Sequence, residues 1–156
     1  MLRAIEAFHR DEHGDWVATL ACGHRQHVRH DPPFWSCPWV TTEEGRAEKL
    51  GSPLPCVLCD RFELPAGYAP YKRTKDFTTR TVPAALLQHH STKAGVWGVI
   101  HVLEGRLRYV VEAPLARDEV IEAGGRGVIV AEVVHHVEPQ GEVRFFVEFH
   151  GRAATP

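Results

Sequence analysis

Two short pairs of metal-ligand residues constrain the fold of this chain more than any other feature. One residue separates Cys22 from His24, and two residues separate Cys56 from Cys59. Structural zinc sites use four sulfur or nitrogen ligands in a tetrahedron, and two such pairs supply them readily because each pair is positioned by its own turn. The spacing therefore predicts a structural zinc site formed by Cys22, His24, Cys56 and Cys59, with a role in folding rather than catalysis.

Other interpretations of the same residues are open from the sequence. His27 lies close enough to His24 to replace it as the zinc ligand. The cysteines are alternatively ordinary buried thiols, or Cys56 and Cys59 are a redox pair, although no βαβ pattern surrounds them. The N-terminus lacks the apolar core of a signal peptide, so we expect a cytoplasmic protein with reduced thiols, which favours metal binding over disulfides.

Charge and hydropathy exclude two classes of partner. The chain has 18 basic and 20 acidic residues, a formal net charge of -2, and no run of like charges. It also has no apolar stretch long enough to cross a bilayer, so we expect neither nucleic acid nor membrane as a partner. Arg25, Arg29 and Arg46 offer an alternative, an anion or nucleic-acid patch, which the net negative charge of the surrounding segment disfavours.

The pattern of structural signals divides the chain into residues 1–66 and 67–156. In the first part, alternation around a polar turn predicts a β-hairpin, and Thr41 with Glu44 matches a capping box for a short helix that stops before Gly51. In the second part, short alternating segments between glycines and prolines predict an all-β barrel or sandwich. The predicted strands are 77–82, 84–90, 97–103, 106–111, 119–121, 127–130 and 143–149.

The first part resembles an uncharacterised bacterial domain family of the zinc-knuckle kind. The resemblance covers nearly all of residues 1–65 and lies in Cys-Gly-His-Arg-Gln-His-Val-Arg-His-Asp-Pro-Pro (22 to 33), Pro38-Trp39, Gly45-Arg46 and Cys56-Val57-Leu58-Cys59-Asp60-Arg61. It implies a conserved module in which Cys37 is not a ligand. Because the family carries no established function, the resemblance supplies no activity.

The second part, over about residues 67–150, resembles the TehB/YeaR-like family of cupins, which is associated with tellurite resistance and nitrosative stress. The motifs that carry the resemblance are Thr81-Val82-Pro83-Ala84, His90 with Thr92-Lys93, Trp97-Gly98, His101-Val102-Leu103-Glu104-Gly105, Arg108-Tyr109, His135 and Phe146-Val147-Glu148-Phe149. The implied fold class is mainly β: a small zinc-stabilised α+β module followed by a cupin-like, double-stranded β-helix barrel.

The same resemblance implies a second metal site in the barrel. Its ligands would be His90 and His135, with His101 and Glu148 as additional candidates, and neutral imidazoles with one carboxylate suit zinc, iron or a similar divalent transition metal. Strand alternation opposes Glu148, because Val147 and Phe149 belong to the apolar face and would turn the glutamate away from it. Both interpretations of Glu148 are open from the sequence.

Three functions are compatible with these motifs. The first is a metal-binding bacterial stress protein, linked to tellurite or another oxyanion or to nitrosative stress; the second is a metal-dependent cupin enzyme, a dioxygenase or isomerase, acting on a small molecule; the third is a non-catalytic interaction or oligomerisation module. We expect a homodimer, since barrels of this size often pair through a sheet face or edge. No phosphate loop, nucleophile elbow or His-Glu-x-x-His motif occurs in the sequence.

Overall fold

A computed structural model describes residues 1–153 of the chain. The chain divides into two compact units, Met1–Leu58 and the residues from Cys59 onward. The division falls inside a four-residue helix, α2 (Val57–Asp60), which carries Cys59. Within residues 1–153, no helix combines the length and the apolar character needed to cross a membrane.

The first unit is a small antiparallel sheet with one helix of two turns. Its strands are β1 (Leu2–Arg10), β2 (Trp16–Leu20), β3 (Arg25–His27) and β4 (Pro53–Pro55), in the spatial order β3-β2-β1-β4. The predicted hairpin is confirmed as β1 and β2, with Phe8 opposite Ala18. Helix α1 (Glu43–Lys49) follows a 3-10 turn and ends before Gly51, as predicted.

The cap of helix α1 lies one residue later than the sequence predicts. The Oγ1 of Thr42 accepts a hydrogen bond from the backbone N–H of Gly45 at 3.1 Å, whereas the Thr41 hydroxyl donates to the carbonyl of Pro38 at 2.7 Å. Only Thr41 has a glutamate three residues later, yet Thr42 is the cap, because the 3-10 turn that precedes the helix includes Thr41.

The second unit contains two antiparallel sheets, which confirms the mainly β prediction. The first sheet has the order β10-β7-β12-β5, with β6 also paired to β12, and the second has the order β11-β8-β9. The strands are β5 (Tyr68–Arg73), β6 (Phe77–Thr78), β7 (Trp97–Glu104), β8 (Arg106–Val111), β9 (Arg117–Glu122), β10 (Arg126–Ile129), β11 (His135–Pro139) and β12 (Arg144–Arg152).

Alternation along the central strands builds the core of this unit. Val102 on β7 pairs with Phe145 on β12, and both side chains are buried, as is Leu107 on β8. The Tyr109 hydroxyl on β8 donates to the carbonyl of Val128 on β10 at 2.9 Å, which ties the two sheets together. The core therefore lies between the sheets, on the faces that alternation turns inward.

In the second unit, one predicted strand is absent, the predicted strand 77–82 is reduced to Phe77–Thr78, and two strands were not predicted. Residues 84–90 do not form a strand, because a 3-10 turn covers Ala84–Leu87 directly after Pro83. The strands β5 and β11 carry prolines and few alternating apolar residues, and they are held by pairing with β12 and β8, which are distant in sequence. Such non-local pairing leaves little local signal.

Candidate metal centre and histidine cavity

Two turns bring Cys22, His24, Cys56 and Cys59 together. Between β2 and β3, the N–H of Gly23 donates to the carbonyl of Leu20 at 2.8 Å, and Gly23 has a φ of 96°, a conformation that favours glycine. Strand β4 pairs with β1 and leads to Cys56, whose N–H donates to the carbonyl of Met1 at 2.7 Å. Helix α2 then places Cys59 beside Cys56.

The four ligand atoms have the spacing of a tetrahedral metal site. All four residues are buried, and their ligand atoms lie within 4.8 Å of one another. His24 Nδ1 is 3.4 Å from the Sγ of Cys22 and 3.4 Å from the Sγ of Cys56, and the two sulfur atoms are 3.8 Å apart. Tetrahedral zinc with bonds of about 2.0–2.3 Å requires ligand separations of roughly 3.6–3.8 Å. The cluster is thus suited to a metal such as zinc, and its sulfur atoms are too far apart for a disulfide.

The electrostatics of this cluster favour a positive charge at its centre. Burial by itself would lower the pKa of His24, but hydrogen bonds to the sulfur atoms of Cys22 and Cys56 outweigh burial and raise the pKa to about 9. A cation bound by these atoms would be stabilised by the same sulfur charges.

The structure places His27 and Cys37 outside this cluster. The Nε2 of His27 is 2.8 Å from Oδ2 of Asp11, and His27 is exposed. This contact lowers the pKa of Asp11 to about 2, and the other carboxylate oxygen of Asp11 accepts backbone hydrogen bonds from His13 and Asp15. Sequence spacing gave no signal for this Asp11–His27 pair, since 16 positions separate the two residues.

In the second unit, backbone pairing places His90 directly opposite His135. The N–H of each donates to the carbonyl of the other at 2.8 Å, in an isolated antiparallel bridge. Because directly paired residues project their side chains to the same side, the two imidazole rings lie 5.4 Å apart, nearly perpendicular to each other. The histidines that the sequence singles out are therefore neighbours, although 45 positions separate them in the printed sequence.

Both histidines line a half-enclosed cavity of about 290 Å³. The remaining walls are mostly apolar and come from Thr74, Phe77, Pro83, Ala85, Leu86, Thr92, Ile129, Val147 and Phe149. Burial lowers the pKa of His135, and the nearby His90 and His136 lower it further, so its imidazole is neutral at neutral pH.

A single hydrogen bond fixes the tautomer of His135. Its Nδ1 lies 3.0 Å from the carbonyl oxygen of Val133, and a carbonyl can only accept, so Nδ1 carries the proton. The Nε2 atom of the neutral ring then has its lone pair available.

Glu148 and His101 do not join His90 and His135. Val147 and Phe149 line the cavity, so the alternation of β12 turns Glu148 to the opposite face of the sheet. There its carboxylate lies 2.7 Å from Nε2 of His150 and 3.6 Å from Nε2 of His101. His150 is buried in this cluster.

Comparison with protein families divides the chain in the same order as its motifs. Residues 7–63 match the family described as a protein of unknown function, DUF3565, and residues 72–147 match the TehB-like domain. No match to the chain was found among curated proteins.

Two solved structures are similar in fold. One is a structural-genomics protein from E. coli strain K12, with a TM-score of 0.53 and 23% identity over 59% of this chain and 98% of that protein. The other is TehB from Haemophilus influenzae, with a TM-score of 0.51 and 20% identity over 56% of this chain and 32% of TehB. The match thus spans about a third of TehB, and at these identities both comparisons show a shared fold alone. The family matches show that the chain is a DUF3565 domain followed by a TehB-like domain.

Proposed function

We propose that this protein holds two metals for two different purposes. Zinc bound by Cys22, His24, Cys56 and Cys59 stabilises the DUF3565 domain, and a divalent transition metal bound by His90 and His135 serves the cavity of a cupin-like TehB-like domain. The observation that carries the second half is the hydrogen bond from Nδ1 of His135 to the carbonyl of Val133. Metal-binding histidines are typically held by such a bond on the other ring nitrogen.

The choice of zinc for the first site follows from its donors. Three sulfur atoms and one imidazole nitrogen form a closed set of borderline-soft ligands, which zinc prefers and which leaves no position for a substrate. The cytoplasm, where we propose the protein acts, keeps such cysteines reduced.

The cavity site has a different character. Two imidazole ligands leave several coordination positions for water or a small molecule, which suits an open rather than a closed metal site. A divalent metal held there would supply Lewis-acid chemistry or an activated water. This openness also favours the second candidate function, a metal-dependent cupin enzyme with a small-molecule substrate.

The link to tellurite, another oxyanion or nitrosative stress is part of the same proposal. Its support is the TehB-like family match and the presence of a cavity with two metal-type ligands in that domain. A stress role needs metal or ligand capture at this cavity, while the enzyme role also needs turnover. Both roles require His90 and His135.

Metal analysis of the full chain tests the proposal. Elemental analysis of the purified protein should find two metals per chain, and the double variant His90→Ala, His135→Ala should retain one. The matched control is His89→Ala with His136→Ala, which alters the adjacent histidines and should leave two. A single metal in the unaltered protein that persists in the His90 and His135 variant would contradict the cavity site.

A further inference from the structure

A second, more polar cavity adjoins the histidine cavity. The second space has a volume of about 360 Å³, and His90, Thr92 and Phe149 line both spaces. The inner space is walled mostly by apolar side chains, whereas the outer one is lined by Tyr71, Lys72, Ser91 and Lys93. A ligand that occupied both would therefore meet an apolar environment at one end and ammonium groups at the other.

The position of Lys72 follows from strand register. Lys72 on β5 pairs with Phe149 on β12, so both side chains begin on the same side of the sheet, the side of the cavity. Lys93 begins the turn in which the N–H of Val96 donates to its carbonyl at 3.0 Å. The two lysines thus approach the outer cavity from a strand and from a loop.

The charge at this opening is not neutralised by the protein. Neither Lys72 nor Lys93 forms an ion pair with any residue from 1 to 153. The nearest acid along β12, Glu148, faces the other side of the sheet and is held by His150 at 2.7 Å. Exposed ammonium groups beside an apolar space favour an anion that carries an apolar body.

Beyond the proposed metal site and independently of it, we propose that this cavity binds a small amphipathic carboxylate. The carboxylate lies between Lys72 and Lys93, and the apolar chain extends along Phe149 toward His90 and His135. A carboxylate without an apolar chain would leave the apolar walls of the inner cavity uncovered, so we expect it to bind more weakly. A neutral apolar ligand would form no ion pair with Lys72 or Lys93.

Calorimetric titration of the full chain with octanoate, 1-octanol and octylamine tests this inference. Octanoate should bind tighter than octanol, and octylamine should bind weakest. Replacing both lysines, Lys72→Met with Lys93→Met, should weaken octanoate binding roughly tenfold, since each exposed ion pair contributes a few-fold, and should leave octanol unchanged. The matched control Lys75→Met removes an exposed lysine that does not line the cavity and should have no effect.

A cavity-blocking variant locates the site. Ala85 is exposed on the wall of the inner cavity, so Ala85→Trp should weaken octanoate and octanol alike without unfolding the domain. Equal binding of octanol and octanoate, an unchanged octanoate affinity in the lysine double variant, or acetate binding as tightly as octanoate would overturn the inference. Measuring the metal content of the same samples separates the two proposals. Lysine-dependent octanoate binding without a cavity metal would refute the metal site alone. A cavity metal without octanoate binding would refute the ligand class alone.

Discussion

The two units of this chain differ in how much apolar side chain they bury. In the first unit the larger buried apolar residues are Ile5, Val17, Leu20, Val28 and Val40, and within the described residues no Phe, Tyr or Trp side chain is buried there. In the second unit the core between the sheets includes the rings of Tyr109, Phe77 and Phe145. In a domain this small the hydrophobic core rarely supplies more than about 3–5 kcal/mol of stability. The difference indicates that the first unit depends more than the second on the proposed zinc for its stability.

The largest effect is expected from loss of a zinc ligand. Cys56→Ser should remove the metal and unfold the first unit, because structural zinc binding contributes about 10–16 kcal/mol, more than a domain of this size has in total stability. The second unit should keep its fold. Zinc content and amide NMR spectra check both statements.

The control for this change is Cys37→Ser, since Cys37 lies outside the cluster. It should retain the metal and the spectrum of the unaltered protein. Equal loss of metal in both variants would mean that the ligand set is wrong.

The second unit should instead be sensitive to its core. Phe145 is fully buried and contacts Phe77 edge to face, with ring centres 5.6 Å apart, so Phe145→Ala should cost about 3–5 kcal/mol in its free energy of unfolding. The adjacent Phe146 lies on the other face of β12 beneath Arg73 and serves as the control. Urea denaturation should show a clearly smaller loss for Phe146→Ala, and equal losses would argue against a core between the sheets.

A pair of glycines tests the tight connection between β7 and β8. Gly105 has a φ of 75°, and a methyl group there would lie 2.0 Å from the carbonyl oxygen of Glu142. Gly124 has a φ of 86° and open space around it. Both alanine substitutions share the cost of the left-handed conformation, about 1 kcal/mol, so Gly105→Ala should lose clearly more stability than Gly124→Ala. Thermal unfolding would contradict this packing if the two variants behaved alike.

The smallest predicted effect concerns helix α1 of the first unit. Thr42→Ala removes the acceptor for the N–H of Gly45 and should cost about 1 kcal/mol. Thr41→Ala, the neighbouring substitution, should cost less because Thr41 does not cap the helix. The order of the two losses in denaturant unfolding of the metal-loaded protein decides between the two capping positions.

The metal cluster is the part of the site that sequence predicts best. Each ligand pair is closed by a local turn, at Gly23 and at α2, so spacing alone carries the geometry. The bridge between His90 and His135 depends instead on pairing between distant segments, and only the family resemblance placed these histidines together. The alternation of Val147 and Phe149 was visible in the sequence and correctly opposed Glu148.

Local sequence patterns did not predict the 3-10 turn or strand β5 of the second unit. The apolar run Ala84–Leu87 forms a 3-10 turn, and two of its side chains, Ala85 and Leu86, line the cavity. Strand β5 has little apolar alternation, yet it positions Lys72 through its pairing with β12. Pairing partners of this kind are set by the tertiary structure.

Hydrogen–deuterium exchange of the full chain, with and without a zinc chelator, tests most directly that the two units are held by different forces. Chelation should remove the protection of backbone amides in β1, β2 and β3, because the buried side chains of that unit cannot stabilise it alone. Amides of β7, β8 and β12 should keep their protection. Unchanged exchange in the first unit after complete removal of the metal would contradict the account.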